Sequence, residues 1–309
     1  MKQLLLSLLL LCAALPAGAQ DVNVCTADTA NQTSRNHAVY RRVAEALQPV
    51  AARLPMSELM VSVALELLET PYLWASLESE PERLQVFLDK TDCILFVELS
   101  ACLALTLKGK RIVQAGDGVR FVPRAVPSVQ DAEPSYALLC DNIRNMRYRL
   151  GVVDGYASRI HYTSEWLLQN ATNGILREYT GELGEEFVQE FFYMSAHPNR
   201  YHQLAKDVCE LGRIRMIEEH LNAQKPFYYI SQESLRREQV MAHIRSGDII
   251  TFVSPHPGLD LAHVAIAYET GGTMHFIHAS YGAGKVIVEP RSLAEYAGRG
   301  IRVARMQDL

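Results

Sequence analysis

The chain has 309 residues, 49% of them hydrophobic and 21% charged, and a formal net charge of −5 at pH 7. That length and apolar content suit one elaborated domain or two small ones with a large core. The acidic balance and the lack of a basic stripe exclude an ordinary nucleic-acid binder.

The first segment reads as an export signal. Lys2 supplies the positive region, Leu4 to Leu15 the apolar core and Ala17-Gly18-Ala19 a small-residue cleavage site. The core is too short to span a bilayer, and Cys12 after Leu11 is a poor setting for lipidation. Cleavage is expected near Ala19, leaving residues 20–309 as a single domain in a periplasm. No later segment reads as transmembrane. Export permits disulfides, yet the mature chain keeps an odd set: Cys25, Cys93, Cys102, Cys140 and Cys209. At least one thiol is therefore unpaired. Cys102, Cys140 and Cys209 read as buried small hydrophobes.

Apolar periodicity predicts helices over 36–53 and 57–69. Thr70-Pro71 stops the second, because a residue before proline leaves helical geometry. Glu80-Pro81-Glu82 is expected to open a short helix. Residues 93–108 are apolar on nearly every side, the mark of a buried helix, and Gly109 ends it. Residues 110–134 mix strand-like Val and Phe with Gly and Pro. A helix follows over 136–148, and Thr163 or Ser164 is expected to cap another through Leu168. Insertions are expected over about 110–165 and 174–230, the second being the least legible stretch. A helix over 231–244 then precedes strands over 248–253, 263–268, 274–279, 285–289 and 301–305. Helices first and an antiparallel meander after make an α+β protein.

The residues that carry chemistry lie in both halves. Cys93 follows Asp92 and opens the buried helix, where unpaired N–H groups lower a thiol pKa. Asp92 fits as the helix cap, although its charge opposes a thiolate. A cationic partner is then needed, and His263 as imidazolium would supply it. If Gly271-Gly272 is a two-residue turn, Tyr268 faces His275 and Ala265 faces His278. His263 and His278 become diagonal neighbours on one face, roughly 7–8 Å apart by backbone, and His275 points to the other. Taken singly, each would be an ordinary core residue; together they point to a cysteine hydrolase. The competing reading is a metal site from His256, His263, His275 and His278 with Asp260. It lacks a His-Glu-x-x-His pair, and the hairpin register sends His275 away.

Thr70-Pro71-Tyr72-Leu73-Trp74, Thr91-Asp92-Cys93, Arg159-Ile160-His161-Tyr162, Gly247-Asp248-Ile249-Ile250, Gly258 to Val264 and Ile277-His278-Ala279-Ser280 occur in series. With these motifs the chain resembles the NlpC/P60 superfamily of papain-like cell-wall hydrolases, most of all its amidase-like DUF1460 branch, over roughly residues 37 to 305. The resemblance implies a circularly permuted papain-like fold, with the nucleophile helix packed on an antiparallel sheet. It implies Cys93 as nucleophile, His263 as general base and His278 as the orienting third residue. It places Tyr72 near the oxyanion and gives Asp92 the role of contacting a stem-peptide amine in related endopeptidases. His161, in its Arg159-x-His161-Tyr162 setting, is implied to line the substrate groove. Trp74 and Trp166 are candidates for stacking on sugar or peptide, with core packing as the plainer reading. Ala75-Ser76 and Ile94-Leu95 depart from the usual Gly-Gly and Ser-Gly, which bears on the shape of the cleft.

The expected function is peptidoglycan hydrolysis in a Gram-negative periplasm, without cofactor or metal, on muropeptides. Cleavage between N-acetylmuramic acid and L-alanine is the first expectation. The alternatives are a γ-D-glutamyl–diamino-acid endopeptidase, which Asp92 would serve, and a non-catalytic wall-binding protein on the same fold. The last would be marked by a lost nucleophile or base, and neither is lost.

Overall fold

A computed structural model describes residues 29–30, 33–74, 76–114, 130–131, 134–224 and 226–308. The segment expected to be a signal, Cys25 and Ala75 lie outside these residues. Among those described, no helix is long and apolar enough to cross a membrane.

Local chemistry sets the helices. α1 (Ser34–Ala51) starts where the Thr33 hydroxyl accepts the Asn36 N–H at 3.2 Å. α2 (Met56–Glu66) follows Pro55. α3 (Cys93–Leu107) is capped by Asp92, whose Oδ1 accepts the Leu95 N–H at 2.9 Å. Every residue of α3 from Leu95 to Leu107 is buried, so its all-round apolar sequence is that of a core helix. α4 (Tyr136–Arg147) is capped by Ser135. α5 (Thr163–Thr172) has no side-chain cap of its own. The distant Asp260 carboxylate accepts the Ser164 N–H at 2.6 Å instead, so neither Thr163 nor Ser164 is the cap. α6 (Val208–Asn222) begins at the Asp207 cap, and the short α7 (Leu293–Tyr296) at a Ser292–Glu295 capping box.

The sheet has six antiparallel strands: β1 (Leu176–Glu178), β2 (Ile249–Val253), β3 (Leu261–Thr270), β4 (Thr273–Ser280), β5 (Lys285–Val288) and β6 (Ile301–Met306). Their order is β5-β4-β3-β2-β6-β1. Side-chain alternation gives each face its own core. Val264, Ile266, Ile277, Ala279 and Val286 pack with α3 in the larger cluster. Phe252, Ala265, Ala267 and Phe276 pack with Leu293 and Ala297 on the other side. The expected α+β architecture is thus observed, with α3 laid against an antiparallel sheet.

Two further sequence expectations fail. No helix forms at Glu80-Pro81-Glu82. Glu82 instead accepts the Tyr148 hydroxyl at 2.7 Å and faces Arg159 at 3.1 Å, so tertiary partners override local preference. The single helix expected over 231–244 is two four-residue helices, Gln232–Leu235 and Glu238–Met241. The break falls at Arg236-Arg237, where the apolar period of the two pieces does not run on. Residues 174–230, the least legible stretch of the sequence, are well structured. They hold β1 and α6, and Ile214 and Leu221 of α6 join Tyr162, Phe191 and Met194 in a third apolar cluster.

Candidate active site

The hairpin β3–β4 brings two imidazoles together. Gly271 and Gly272 have φ of 58° and 76°, the two positive values that a tight two-residue hairpin turn requires. The turn pairs Thr270 with Thr273, Tyr268 with His275 and Ile266 with Ile277. His263 and His278 are therefore diagonal on one face, and His263 Nε2 lies 2.7 Å from His278 Nδ1. His275 turns away, its Nδ1 3.1 Å from the Glu289 and Arg291 carbonyls. A register shift at Phe252/Val253 of β2 kinks β3 beside His263, which is how bulges re-aim a side chain.

Cys93 comes to the same place from α3. The backbone N–H of Val264, the residue after His263, lies close enough to the thiol to favour its thiolate form. The β3–β4 ladder ends at Ile266 and Ile277, so Val264 lies beyond the last pair. The Tyr296 ring closes this corner, 6.4 Å from His263 and 5.9 Å from His278. Burial pushes the Cys93 thiol up to about 12, and the Asp92 charge adds to this. The N–H groups of Val264, Ile94 and Cys93 oppose the rise without overcoming it. The expectation of a thiol lowered by the helix end is thus not met, because desolvation exceeds the helix-end effect. Burial, then the neighbouring His278, lowers His263 to about 3. Burial lowers His278 to about 4, against the pull of Glu289. Both shifts favour a neutral thiol and a neutral imidazole over the ion pair the sequence suggested. A neutral His263 is the form that can accept the thiol proton.

The remaining residues divide. Tyr72 is paired through its backbone to Gly284 and Thr91. Burial raises its phenol, and the nearby Cys93 and Asp92 add to the shift, so it stays a hydrogen-bond donor. Asp92 is half-buried, and both its oxygens are engaged: Oδ1 by Leu95 N–H and Oδ2 by the Ser76 hydroxyl at 2.5 Å. Trp74 is 75% exposed and Tyr281 is 73% exposed, with ring centroids 5.9 Å apart. Core packing therefore does not describe Trp74, whereas it does describe Trp166, which is 3% exposed. Tyr281 also meets the Tyr72 ring at 5.6 Å.

A cavity of about 120 Å³ adjoins the start of α3, lined among others by Leu95, Arg147, Arg159, His161, Tyr162 and Trp166. His161 Nε2 donates to the Tyr156 carbonyl at 2.9 Å. Burial and the Arg159 charge hold His161 well below its ordinary value, so it is neutral. Arg159 is buried and paired with Glu78 and Glu82. Tyr162 gives the cavity its ring, while its hydroxyl donates to Glu218 at 2.7 Å, away from the thiol. Among the thiols, Cys102 and Cys140 are fully buried, but Cys209 is exposed. It sits on the solvent side of the first turn of α6. Among the described residues no group of three His, Cys, Asp or Glu side chains is placed to hold a metal. Asp260 is spent on the α5 N-terminus.

Sequence reading missed Glu289, whose Oε2 lies 3.4 Å from His278 Nε2. It also missed Tyr281 and Tyr296. Nothing local marked Glu289, whose place beside the histidine strand is set by the loop between β4 and β5.

A family model described as AmiA-like, N-acetylmuramoyl-L-alanine amidase-like, matches residues 62–300. The chain belongs to this AmiA-like family. It is similar to an N-acetylmuramoyl-L-alanine amidase from Bacteroides uniformis ATCC 8492. Identity is 31%, the match covers 80% of this chain and 98% of that one, and the TM-score is 0.68. A second crystal structure of a B. uniformis amidase matches at 31% identity over 82% and 99%, with a TM-score of 0.69. Protein LPG0564 of Legionella pneumophila, assigned to DUF1460, shares the fold at 18% identity over 88% and 94%, TM-score 0.60. No curated protein matches the chain. The match to the AmiA-like model spans Cys93, His263, His278 and Glu289 alike.

Proposed function

We propose that this protein is an exported cysteine amidase that cleaves the amide between N-acetylmuramic acid and L-alanine in peptidoglycan fragments. The observation that carries the reading is the His263–His278 contact of 2.7 Å set beside the thiol at the start of α3. The AmiA-like match supports the amidase class and, with it, a cell-wall substrate. The fold is read as the circularly permuted papain-like fold of the NlpC/P60 superfamily, and the compartment as a periplasm reached through the signal at residues 1–19.

The chemistry follows from the groups present. Cys93 passes its proton to His263 as the sulfur attacks the lactyl carbonyl of the muramic acid. Tyr72 and the Cys93 backbone N–H stand as donors for the developing oxyanion. The C–N bond breaks, His263 returns the proton to the leaving L-alanine nitrogen, and a thioester remains. Water, deprotonated by His263, cleaves the thioester and frees the carboxylate. His278 orients His263 throughout, as the third member of a triad does. The amidase is favoured over the endopeptidase by Asp92, whose two oxygens are committed to the helix cap and to Ser76.

The reading is tested by digesting purified disaccharide-peptides and free stem peptides with wild type and Cys93→Ala, and weighing the products. The expected result is free stem peptide plus bare disaccharide from wild type and no product from the variant. Release of L-Ala–D-Glu would establish the endopeptidase instead, and an active Cys93→Ala would refute the mechanism.

A further inference from the structure

Glu289 stands one residue past β5. Its N–H donates to the Phe276 carbonyl at 2.9 Å, which carries the Ile277–Val288 register on by one pair. Its side chain therefore lies on the face that Phe276 shares with His278, diagonal to the imidazole. A carboxylate only 5% exposed must have partners. Oε1 has two, Arg291 Nε at 2.7 Å and Arg291 N at 3.3 Å. That leaves Oε2, which faces His278 Nε2 at 3.4 Å. This nitrogen is buried and makes no hydrogen bond among the described residues. Arg291 is itself held, its guanidinium 4.4 Å from the centre of the Tyr296 ring. His275 fixes the backbone, its Nδ1 donating to the Glu289 carbonyl at 3.1 Å. The carboxylate is thus locked in place before any substrate arrives.

A carboxylate accepts and does not donate. Facing Glu289, His278 Nε2 carries the ring proton, so His278 Nδ1 is a lone pair. His263 Nε2, 2.7 Å from that lone pair, must then be the N–H. The only lone pair left on the pair is His263 Nδ1, which in the mechanism proposed above is the nitrogen that takes the Cys93 proton. The opposite tautomers would place the N–H on His263 Nδ1 and disable the base.

We propose that Glu289 is the positioning residue that sets the tautomers of His278 and His263, making a four-member line from Cys93 through both imidazoles to a carboxylate locked by Arg291. The kinetic consequence rests on the cysteine mechanism proposed above; the tautomer assignment does not. The line is one imidazole longer than a Ser-His-Asp arrangement, and its carboxylate acts through His278 rather than on the base.

The test compares wild type, Glu289→Gln and Glu289→Ala, each ¹⁵N-labelled at histidine, by long-range ¹⁵N–¹H spectra at neutral pH and by steady-state kinetics on a disaccharide-peptide. Wild type is expected to show Nε2–H on both His263 and His278. Glu289→Ala is expected to move the proton to Nδ1 on both. It should also lower kcat about 10- to 100-fold, by analogy with removing the group behind a metal-bound histidine, with KM little changed. Glu289→Gln keeps an acceptor oxygen, so it is expected to restore the Nε2–H tautomers and recover most of kcat. Unchanged tautomers in Glu289→Ala, or a kcat within about twofold of wild type, would overturn the proposal while leaving the amidase standing. A wild type that cleaves nothing would instead overturn the amidase, and the spectra would still decide the role of Glu289.

Discussion

At the scale of single residues the site is a set of groups kept neutral by burial. His263 is lowered to about 3, first by burial and then by His278. His278 is lowered to about 4 by burial, against Glu289. Both folded values lie below the ordinary histidine value of about 6.5. The unfolded chain therefore takes up protons before the folded one, and stability present above about pH 6.5 is lost as pH falls towards 4 and then 3. His263→Gln removes one such group and eases the electrostatic penalty on the other. Urea midpoints of the variant should fall less than those of wild type between about pH 6.5 and 4. Parallel curves would contradict the assignment of two buried, neutral imidazoles. Comparing variant with wild type matters here, because burial raises the carboxyls of Asp92, Glu98 and Asp260. A raised carboxyl gives the opposite sign, holding stability at low pH and losing it as pH rises through the folded value.

At the scale of elements, α3 positions the nucleophile and its anchorage is ionic as well as apolar. Glu98 of α3 and Arg147 of α4 form a buried pair, with side chains 2% and 5% exposed. Arg147 Nε donates to Glu98 Oε1 at 2.9 Å, and its Nη1 donates to the Gln85 carbonyl. Arg147→Met strands the Glu98 charge and should cost about 3–5 kcal/mol in urea unfolding. The double variant Arg147→Met/Glu98→Leu should regain a large part of that loss, and a double variant no more stable than the single would contradict it. α3 was legible from sequence because it is apolar on all sides over four turns. The hairpin was legible because Gly271-Gly272 fixes its register, and the register alone pairs His263 with His278. Glu289 was not legible, because its position depends on the four-residue loop Tyr281–Gly284, which carries no such fixed turn signal. The α5 cap was hidden for a similar reason: Asp260 acts across 96 residues, beyond any local pattern. Residues 231–244 misled because their helical composition was followed across Arg236-Arg237, where the apolar period breaks.

At the scale of the whole molecule, the sheet's two cores meet at one corner. The α3 core delivers the thiol and the opposite core delivers both imidazoles, with Tyr296 and Glu289 behind them. Trp74 and Tyr281 stand exposed on the approach to that corner. In the mechanism proposed above, Cys93 carries the muramoyl group as a thioester and releases the peptide first. The most direct test of this mechanism is rapid acid quench of wild type with a disaccharide-peptide, followed by intact mass and peptide mapping. The expected product is an adduct with the mass of the muramoyl disaccharide acyl group, on the peptide that contains Cys93. A peptidyl adduct, or turnover with Cys93 unmodified and replaceable by alanine, would contradict the mechanism.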